Sequence, residues 1–190
     1  MRALTNWSGA VAGLLLIVCG GLVQAAWPAV GSNGFTLIPL PISLQVPALL
    51  LTALVCGARS AMLAGVAYIS LGLFQLPVFQ AGGGLQYLLD PGFGYIAGFL
   101  PAAWLTGKLS RQSGMDNLLS LTGTAVLGLL VLQGCGLANL LLGALVGRWQ
   151  GGLPQLLISY SIGPLPYQLL LCCAVALLAL PLRRLLLLES

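Results

Sequence analysis

The sequence predicts an all-α integral membrane protein, a single-domain bundle of six transmembrane helices spanning residues 1–190. Three observations lead to this fold class. Hydrophobic residues make up 59% of the chain and charged residues only 5%, with a mean hydropathy of +1.04, whereas a soluble domain carries about 25% charged residues. Apolar runs near the roughly 20-residue length that crosses a bilayer follow one another along the chain. Lysine and arginine gather at alternate ends of these runs.

The apolar runs place the six spans at 9–27, 44–58, 60–76, 92–109, 117–146 and 166–188. Asp116 and Asn117 are typical of a helix start and mark the beginning of the fifth span. The stretch 133–136 is a candidate break in that span, and 153–163 is a candidate short helix or re-entrant turn. One alternative concerns the first span, because 11–18 followed by 23–25 resembles a secretory signal with its cleavage site. Cleavage would leave five spans, but the run continues into the Trp27-Pro28 boundary, which favours a span.

The distribution of cations predicts the orientation, because lysine and arginine are enriched on the cytoplasmic side. With the N-terminus inside, only Arg148 lies on the outer face. The other cations are then cytoplasmic: Arg2, Arg59, Lys108, Arg111, Arg183 and Arg184. We therefore expect both termini inside. The connection 28–43 and the glycine-rich segment 77–95 then lie on the outer face.

The composition excludes most catalytic functions. The chain has no histidine, which excludes a histidine base and any metal site that depends on imidazole. Its acids, Asp90, Asp116 and Glu189, all lie at the ends of spans, so no mid-membrane acid is available for proton transfer. Lys108 lacks the surroundings of a phosphate-binding loop. We expect no enzyme, cofactor, metal or nucleic acid, and instead a membrane-embedded binding protein powered by another protein.

The segment 77–95 carries the residues best suited to binding. Gly82, Gly83 and Gly84 allow the backbone to approach a ligand closely and to present its N–H groups. Rings for a bicyclic ligand are available from Phe79, Tyr87, Phe93 and Tyr95. These residues alone leave two interpretations open: a lid over a ligand, or a turn flanked by an interfacial aromatic belt.

An ordered set of short motifs between Pro39 and Phe99 is specific enough in order and spacing to suggest a family. It runs through Pro39-Leu40-Pro41-Ile42-Ser43-Leu44-Gln45, Gly57-Ala58-Arg59, Tyr68, Gly72, Pro77-Val78-Phe79, Gly82-Gly83-Gly84, Pro91, Gly94-Tyr95 and Gly98-Phe99. In order and spacing this set resembles the BioY family, the biotin-specific substrate-binding (S) components of energy-coupling factor (ECF) transporters. The resemblance covers about a third of the chain.

The resemblance implies a six-helix bundle that binds biotin near its outer face. It also implies a transmembrane coupling protein and two cytoplasmic ATPases as partners, and it favours the lid interpretation of the segment 77–95. Gln45 enters the set of expected ligand-binding residues through its place in the matching motif.

The C-terminal part departs from the family pattern. The resemblance implies a Pro-Gly-Asp segment followed three residues later by lysine, whereas here Pro166 is followed by Gln168 and Leu171. A glutamine amide offers both an acceptor and a donor to a ureido group, so Gln168 is the expected polar anchor. Arg148 is a candidate for holding the ligand carboxylate, with a solvated loop arginine as the alternative.

A docking surface is indicated more weakly by Gly9 and Gly13, whose spacing lets another helix approach closely. The resemblance implies that such a pattern on the first helix meets the coupling protein. Gly143 and Gly147 share the spacing.

The sequence thus predicts a biotin-uptake S component in the cell membrane. The alternatives are an S component for another vitamin and a small membrane assembly protein without a ligand.

Overall fold

The structure is a computed structural model that describes residues 2–31, 34–74, 76–79, 82–149 and 152–187. This part of the chain is mostly helical. Its α-helices are α1 (Arg2–Leu22), α2 (Gln45–Cys56), α3 (Ala58–Leu73), α4 (Phe93–Ala97), α5 (Phe99–Leu109), α6 (Leu118–Leu145), α7 (Leu153–Leu157) and α8 (Leu165–Leu187). Two antiparallel strands, β1 (Gln24–Gly31) and β2 (Gly34–Ser43), join α1 to α2. A 3-10 helix covers Leu85–Leu89, and a π-helical turn covers Ile158–Ile162.

Three helical stretches of the described chain are long and apolar enough to cross a membrane, namely Leu4–Leu22, Leu118–Leu145 and Leu153–Leu186. Helices α2 and α3 are also apolar but have only 12 and 16 residues, fewer than the roughly 20 of a typical span. The predicted helical bundle is therefore confirmed as a mostly helical fold with six principal helices. The count of six spans stays a prediction.

Helix α2 lies at the centre of the bundle, where it contacts α1, α3, α5, α6 and α8. One side of it, through Leu49, joins a buried cluster that includes Ile17 and Tyr68. Another side, through Leu54, joins a second cluster with Leu129 and other side chains of α6 and α8. Since lipid is as apolar as these side chains, close packing rather than hydrophobic transfer holds such helices together.

The first helix begins and ends earlier in the chain than predicted. It ends at Leu22 rather than at Trp27, and the backbone continues into a hairpin in which Trp27 pairs with Ile38. The residue before a proline is disfavoured in the α conformation, and Trp27 precedes Pro28. The sequence also contains Asn33-Gly34 between two apolar runs, which is a strong hairpin signal. The predicted end of this span therefore lies too far along the chain, because hydropathy alone does not separate an apolar strand from a helix end.

The other boundaries agree more closely with the prediction. Helix α6 runs unbroken for 28 residues, so the candidate break at 133–136 is wrong. The Asn117 side chain caps it by accepting a hydrogen bond from the Ser120 N–H at 2.9 Å. The predicted span 92–109 forms two consecutive helices, α4 and α5, that meet at Gly98. The last predicted position, Leu188, lies outside the described residues.

Candidate functional site

A cavity of about 180 Å³ opens where α2, α4, α5 and α8 begin. Gln45 is the first residue of α2, and Gln168 lies in the first turn of α8. Tyr95 on α4 and Tyr87 on the 3-10 helix complete the set of predicted site residues that line this cavity. The structure thus brings together four of the nine residues that the sequence analysis named for ligand binding.

Further lining residues were not predicted from the sequence. Ile96, Phe99 and Leu132 supply an apolar wall, and Ser159 and Tyr160 of the π-helical turn supply polar atoms. The lining thus combines apolar surface with a comparable share of polar groups, and placed polar groups fix the orientation of a ligand in small-molecule sites. The described lining contains no charged side chain.

The tyrosines of the cavity form an ordered group. The rings of Tyr95 and Tyr160 stack with their centroids 6.1 Å apart, and the Tyr95 hydroxyl is hydrogen-bonded to the Ser161 hydroxyl. Burial raises the pKa of the Tyr87 phenol above its usual range, and the neighbouring Asp90 carboxylate adds to this effect. The Tyr87 phenol therefore stays protonated at physiological pH and can donate a hydrogen bond.

Three glutamine amides provide the strongest polar features. Gln133, which is only 5% exposed on α6, donates from Nε2 to Oε1 of Gln168 at 2.8 Å. This bond leaves the two N–H donors of the Gln168 amide for other partners. Gln133 Oε1 is buried without a hydrogen-bond partner among the described residues. Gln45 Nε2 is buried beside the Tyr68 hydroxyl and, within the described part of the chain, makes no hydrogen bond of ordinary geometry.

Gln133 is the most informative residue that sequence reasoning missed. In the sequence it belongs to the candidate helix break 133–136, although a polar side chain inside an apolar span is itself a sign of function. Its partner, Gln168, lies 35 residues further along the chain. No local motif reveals such a pair, and only the packing of α6 against α8 brings the two amides together.

The segment 77–95 lies beside the cavity, and most of it does not line the cavity. Phe79 is buried and packs on Tyr87, with the ring centroids 4.6 Å apart, so it supports a lining residue. Gly82 and Gly84 have positive φ angles of 112° and 101°, which glycine adopts readily. Gln80 and Ala81, in the same loop, lie outside the described residues.

Gly83 and Gly84 approach the end of α3 rather than the cavity, whereas the backbone of Gly82 pairs with that of Phe79. The Gly84 N–H donates to the carbonyl oxygen of Gly72 at 2.7 Å. A side chain on Gly83 would collide with the carbonyl oxygen of Leu76. Gly83 and Gly84 line a separate open depression together with Phe74 and Leu85.

The remaining predicted residues also lie away from the cavity lining. Arg148 is exposed, and its guanidinium lies over the Trp149 ring at 5.8 Å from the centroid. Gly9 faces α2 and α3, where an added Cβ would lie 3.1 Å from both Cys56 Cβ and Ser60 Oγ. Gly13 is buried against Thr52 of α2 in the same way. Gly143 contacts the Trp149 ring of its own chain.

Comparison with known proteins gives consistent matches. A family model described as the BioY family matches residues 3–187. A probable biotin transporter BioY of Lysinibacillus sphaericus is 42% identical over 88 residues, which are 45% of this chain and 44% of that protein. The biotin transporter BioY of Thermotoga maritima is 34% identical over 119 residues, covering 62% of this chain and 68% of that protein. The aligned part of this chain thus spans less than half of the Lysinibacillus protein.

A solved structure shares the fold. The crystal structure of the S-component for biotin from an ECF-type ABC transporter superposes with a TM-score of 0.70 at 20% sequence identity. The superposition covers 96% of this chain and 93% of that chain. The resemblance that the motifs between Pro39 and Phe99 indicated is therefore confirmed over nearly the whole length. The chain is a multi-pass protein of the cell membrane that belongs to the BioY family.

Proposed function

We propose that this protein is the biotin-binding S component of an ECF-type uptake transporter, and that the cavity between Gln45, Tyr95 and Gln168 is its ligand site. The observation that carries the proposal is the family match over residues 3–187, combined with an uncharged cavity of amides and tyrosines. The S component has no catalytic role in this proposal. Separate coupling and ATPase subunits supply the energy for transport.

The chemistry of the cavity suits the bicyclic head of biotin. A ureido ring has one carbonyl acceptor and two N–H donors, and a glutamine amide offers the complementary groups. The bond from Gln133 occupies Oε1 of Gln168, so its Nε2 donates to the ureido carbonyl. Gln45 supplies a second amide, and the rings of Tyr87, Tyr95 and Phe99 give the bicycle flat apolar surfaces.

The topology belongs to the same proposal. We place six spans in the bilayer with both termini in the cytoplasm, because this orientation puts every cation except Arg148 inside. The cavity then opens toward the outer face. The short helices α2 and α3 are surrounded by other helices of the bundle, which supports a position within the membrane despite their length.

The loop that contains Gly82, Gly83 and Gly84 acts in this proposal as a lid through Phe79 and Tyr87. Gly83→Val should lower biotin affinity by about tenfold or more, since a loss of about 1.4 kcal/mol is tenfold in Kd. The valine would collide with the Leu76 carbonyl, displacing the loop and with it the ring pair at the cavity wall. Titration with biotin measures the effect.

The control for the lid variant is Gly152→Val. Gly152 is exposed with a φ of −61°, and among the described residues an added Cβ would approach only Pro154 Cδ, at 3.7 Å. A valine therefore fits there, and we expect biotin binding like that of the wild type. Unchanged biotin affinity in Gly83→Val would contradict the lid proposal.

Docking of a coupling protein through Gly9 and Gly13 stays a prediction. Because both glycines contact α2 and α3, a leucine at Gly13 would first disturb the packing of α1 within this chain. Gly9→Leu is the better test, since Gly9 is only half-buried. A docking role predicts a loss of biotin uptake by the assembled transporter with binding by the isolated protein retained. Parallel loss of both, or normal uptake, would contradict docking at this position.

Titration of the purified protein with biotin, desthiobiotin and riboflavin tests the proposed function. We expect saturable binding of biotin, weaker binding of desthiobiotin and none of riboflavin. Saturable binding of a different vitamin would favour the first alternative, an S component with another ligand. Absence of binding for any vitamin would favour the second alternative, a membrane assembly protein.

A further inference from the structure

The positive charges of this protein gather at the end of the bundle opposite the cavity. Arg183 of α8 donates to the Ser110 carbonyl oxygen at 2.8 Å, and Arg111 donates to the Val55 carbonyl oxygen at 3.2 Å. These bonds tie together the ends of α2, α5 and α8. The other cations at helix ends on this side are Arg2, Arg59, Lys108 and Arg184.

The cavity lies far from these charges. Gln168 and Arg183 belong to the same helix, α8, and a rise of 1.5 Å per residue separates them by about 22 Å along its axis. Gln45 likewise begins α2, whose other end carries the Val55 carbonyl that Arg111 contacts. The cations at the opposite end of the bundle therefore cannot reach a ligand in the cavity.

The cation on the same side of the bundle as the cavity, Arg148, contacts the Trp149 ring. Arg148 is exposed over the ring of Trp149, and the Trp149 indole N–H donates to the Leu140 carbonyl oxygen at 2.9 Å. Arg148 does not line the cavity. The described lining of the cavity therefore offers no positive side chain with which to pair a ligand carboxylate.

A negative charge lies at the cavity wall instead. The half-buried Asp90 accepts a hydrogen bond from the Gly92 N–H at 2.7 Å, and Gly92 lines the cavity. A Cβ built on Gly92 would lie 3.0 Å from Asp90 Oδ1, 3.2 Å from the Tyr160 ring and 3.3 Å from the Tyr87 hydroxyl. The carboxylate is therefore next to two lining tyrosines, where it would repel a ligand anion.

We infer that this site binds its ligand through the neutral bicyclic head alone. The carboxyl end of the ligand points toward solvent and pairs with no side chain of the site. The inference rests on the proposed biotin site and narrows its substrate class. Ligands of this class include cyclic ureas whose side-chain carboxyl group is esterified or amidated. Binding strength comes from the amides and rings, so neutralising the carboxyl group removes no attractive contact.

The test compares biotin, biotin methyl ester and biotinamide by titration of the purified full chain. For the wild type we expect the three Kd values to agree within about threefold, as for a charge that interacts only through solvent. Asp90→Asn keeps the acceptor for the Gly92 N–H and removes the charge. It should tighten biotin binding by about two- to threefold and leave the affinity for biotinamide unchanged.

Asp116→Asn is the matched control, because Asp116 is exposed and lies next to the start of α6, at the opposite end of the bundle. This variant should change the affinity for neither biotin nor biotinamide. If the wild type binds the ester and the amide with Kd values more than tenfold higher than that of biotin, the inference is overturned. The biotin site itself would remain intact. Absence of binding for all three ligands would instead overturn the proposed function, and the inference with it.

Discussion

Gln168→Leu is expected to weaken biotin binding by about 10- to 100-fold, the effect of losing roughly 1.4 to 2.8 kcal/mol. The substitution removes the amide that donates to the ligand carbonyl in the proposed site. It also leaves Nε2 of the buried Gln133 without its acceptor, and an unsatisfied buried donor costs about 1–3 kcal/mol. Isothermal titration with biotin, in parallel with thermal unfolding, separates lost binding from lost folding.

Two further variants provide a control for this prediction and a test of the alignment behind it. Gln155→Leu makes the same change on the exposed surface of α7, and we expect it to bind biotin like the wild type. Gln168→Asp combined with Leu171→Lys restores the pair that the family resemblance implies and should hold or improve biotin binding. If Gln168→Leu binds like the wild type and the double variant loses biotin, the alignment of this segment is wrong. The polar anchor would then have to be sought at Tyr160, Ser161 or Arg148.

Gly107→Ala is expected to lower the stability of the fold by about 1–3 kcal/mol, as overpacking of a close interface does. Gly107 on α5 contacts the backbone that joins α2 to α3. A methyl group there would collide with the backbone of Ala58 and lie 2.7 Å from the carbonyl carbon of Gly57. Backbone atoms cannot rotate away as a flexible side chain can, so the helices must separate. Thermal unfolding in detergent measures the loss.

Gly123→Ala is the matched control for that variant. Gly123 lies within α6, and an added Cβ has no atom within 4 Å. Alanine is a better helix former than glycine by about 0.5–1 kcal/mol, so this variant should be as stable as the wild type or slightly more stable. Equal unfolding temperatures for Gly107→Ala and the wild type would contradict the packing of α5 against the α2–α3 connection.

The helices could be predicted well because hydrophobicity along the chain is a local property. The limits of α2, α3 and α6 follow from apolar runs bounded by glycine, proline or a capping residue such as Asn117. The hairpin could not be found in the same way. Gln24–Gly31 is as apolar as a helix end, and only the Asn33-Gly34 turn signal distinguishes it.

The glycines show a different limit. Their spacing predicted close approach correctly, but a glycine does not specify what approaches it. Within the chain, Gly83 lies against the Leu76 carbonyl and Gly13 lies against Thr52, while the ligand at Gly83 and the partner helix at Gly13 stay predictions. The absence of a side chain makes room for any neighbour, so the neighbour is decided by the tertiary fold.

The candidate site was predictable only where a motif marked it. Gln45 and Tyr95 belong to the ordered N-terminal set, and Tyr87 belongs to the glycine-rich segment 77–95. The structure places these three residues around one cavity with Gln168. Gln133 and Tyr160 belong to a region that carries no such set. Their part in the site depends on the crossing of α6 with α8 and on the π-helical turn before α8, which no local pattern describes.

An experimental structure of the purified protein with biotin is the decisive test of binding in the cavity lined by Gln45, Tyr95 and Gln168. We expect the bicyclic head in this cavity, with its ureido carbonyl about 3 Å from Gln168 Nε2 and its carboxyl end toward solvent. Biotin bound instead in the depression beside Gly83, Gly84 and Phe74, or with its carboxylate paired to Arg148, would contradict this binding mode.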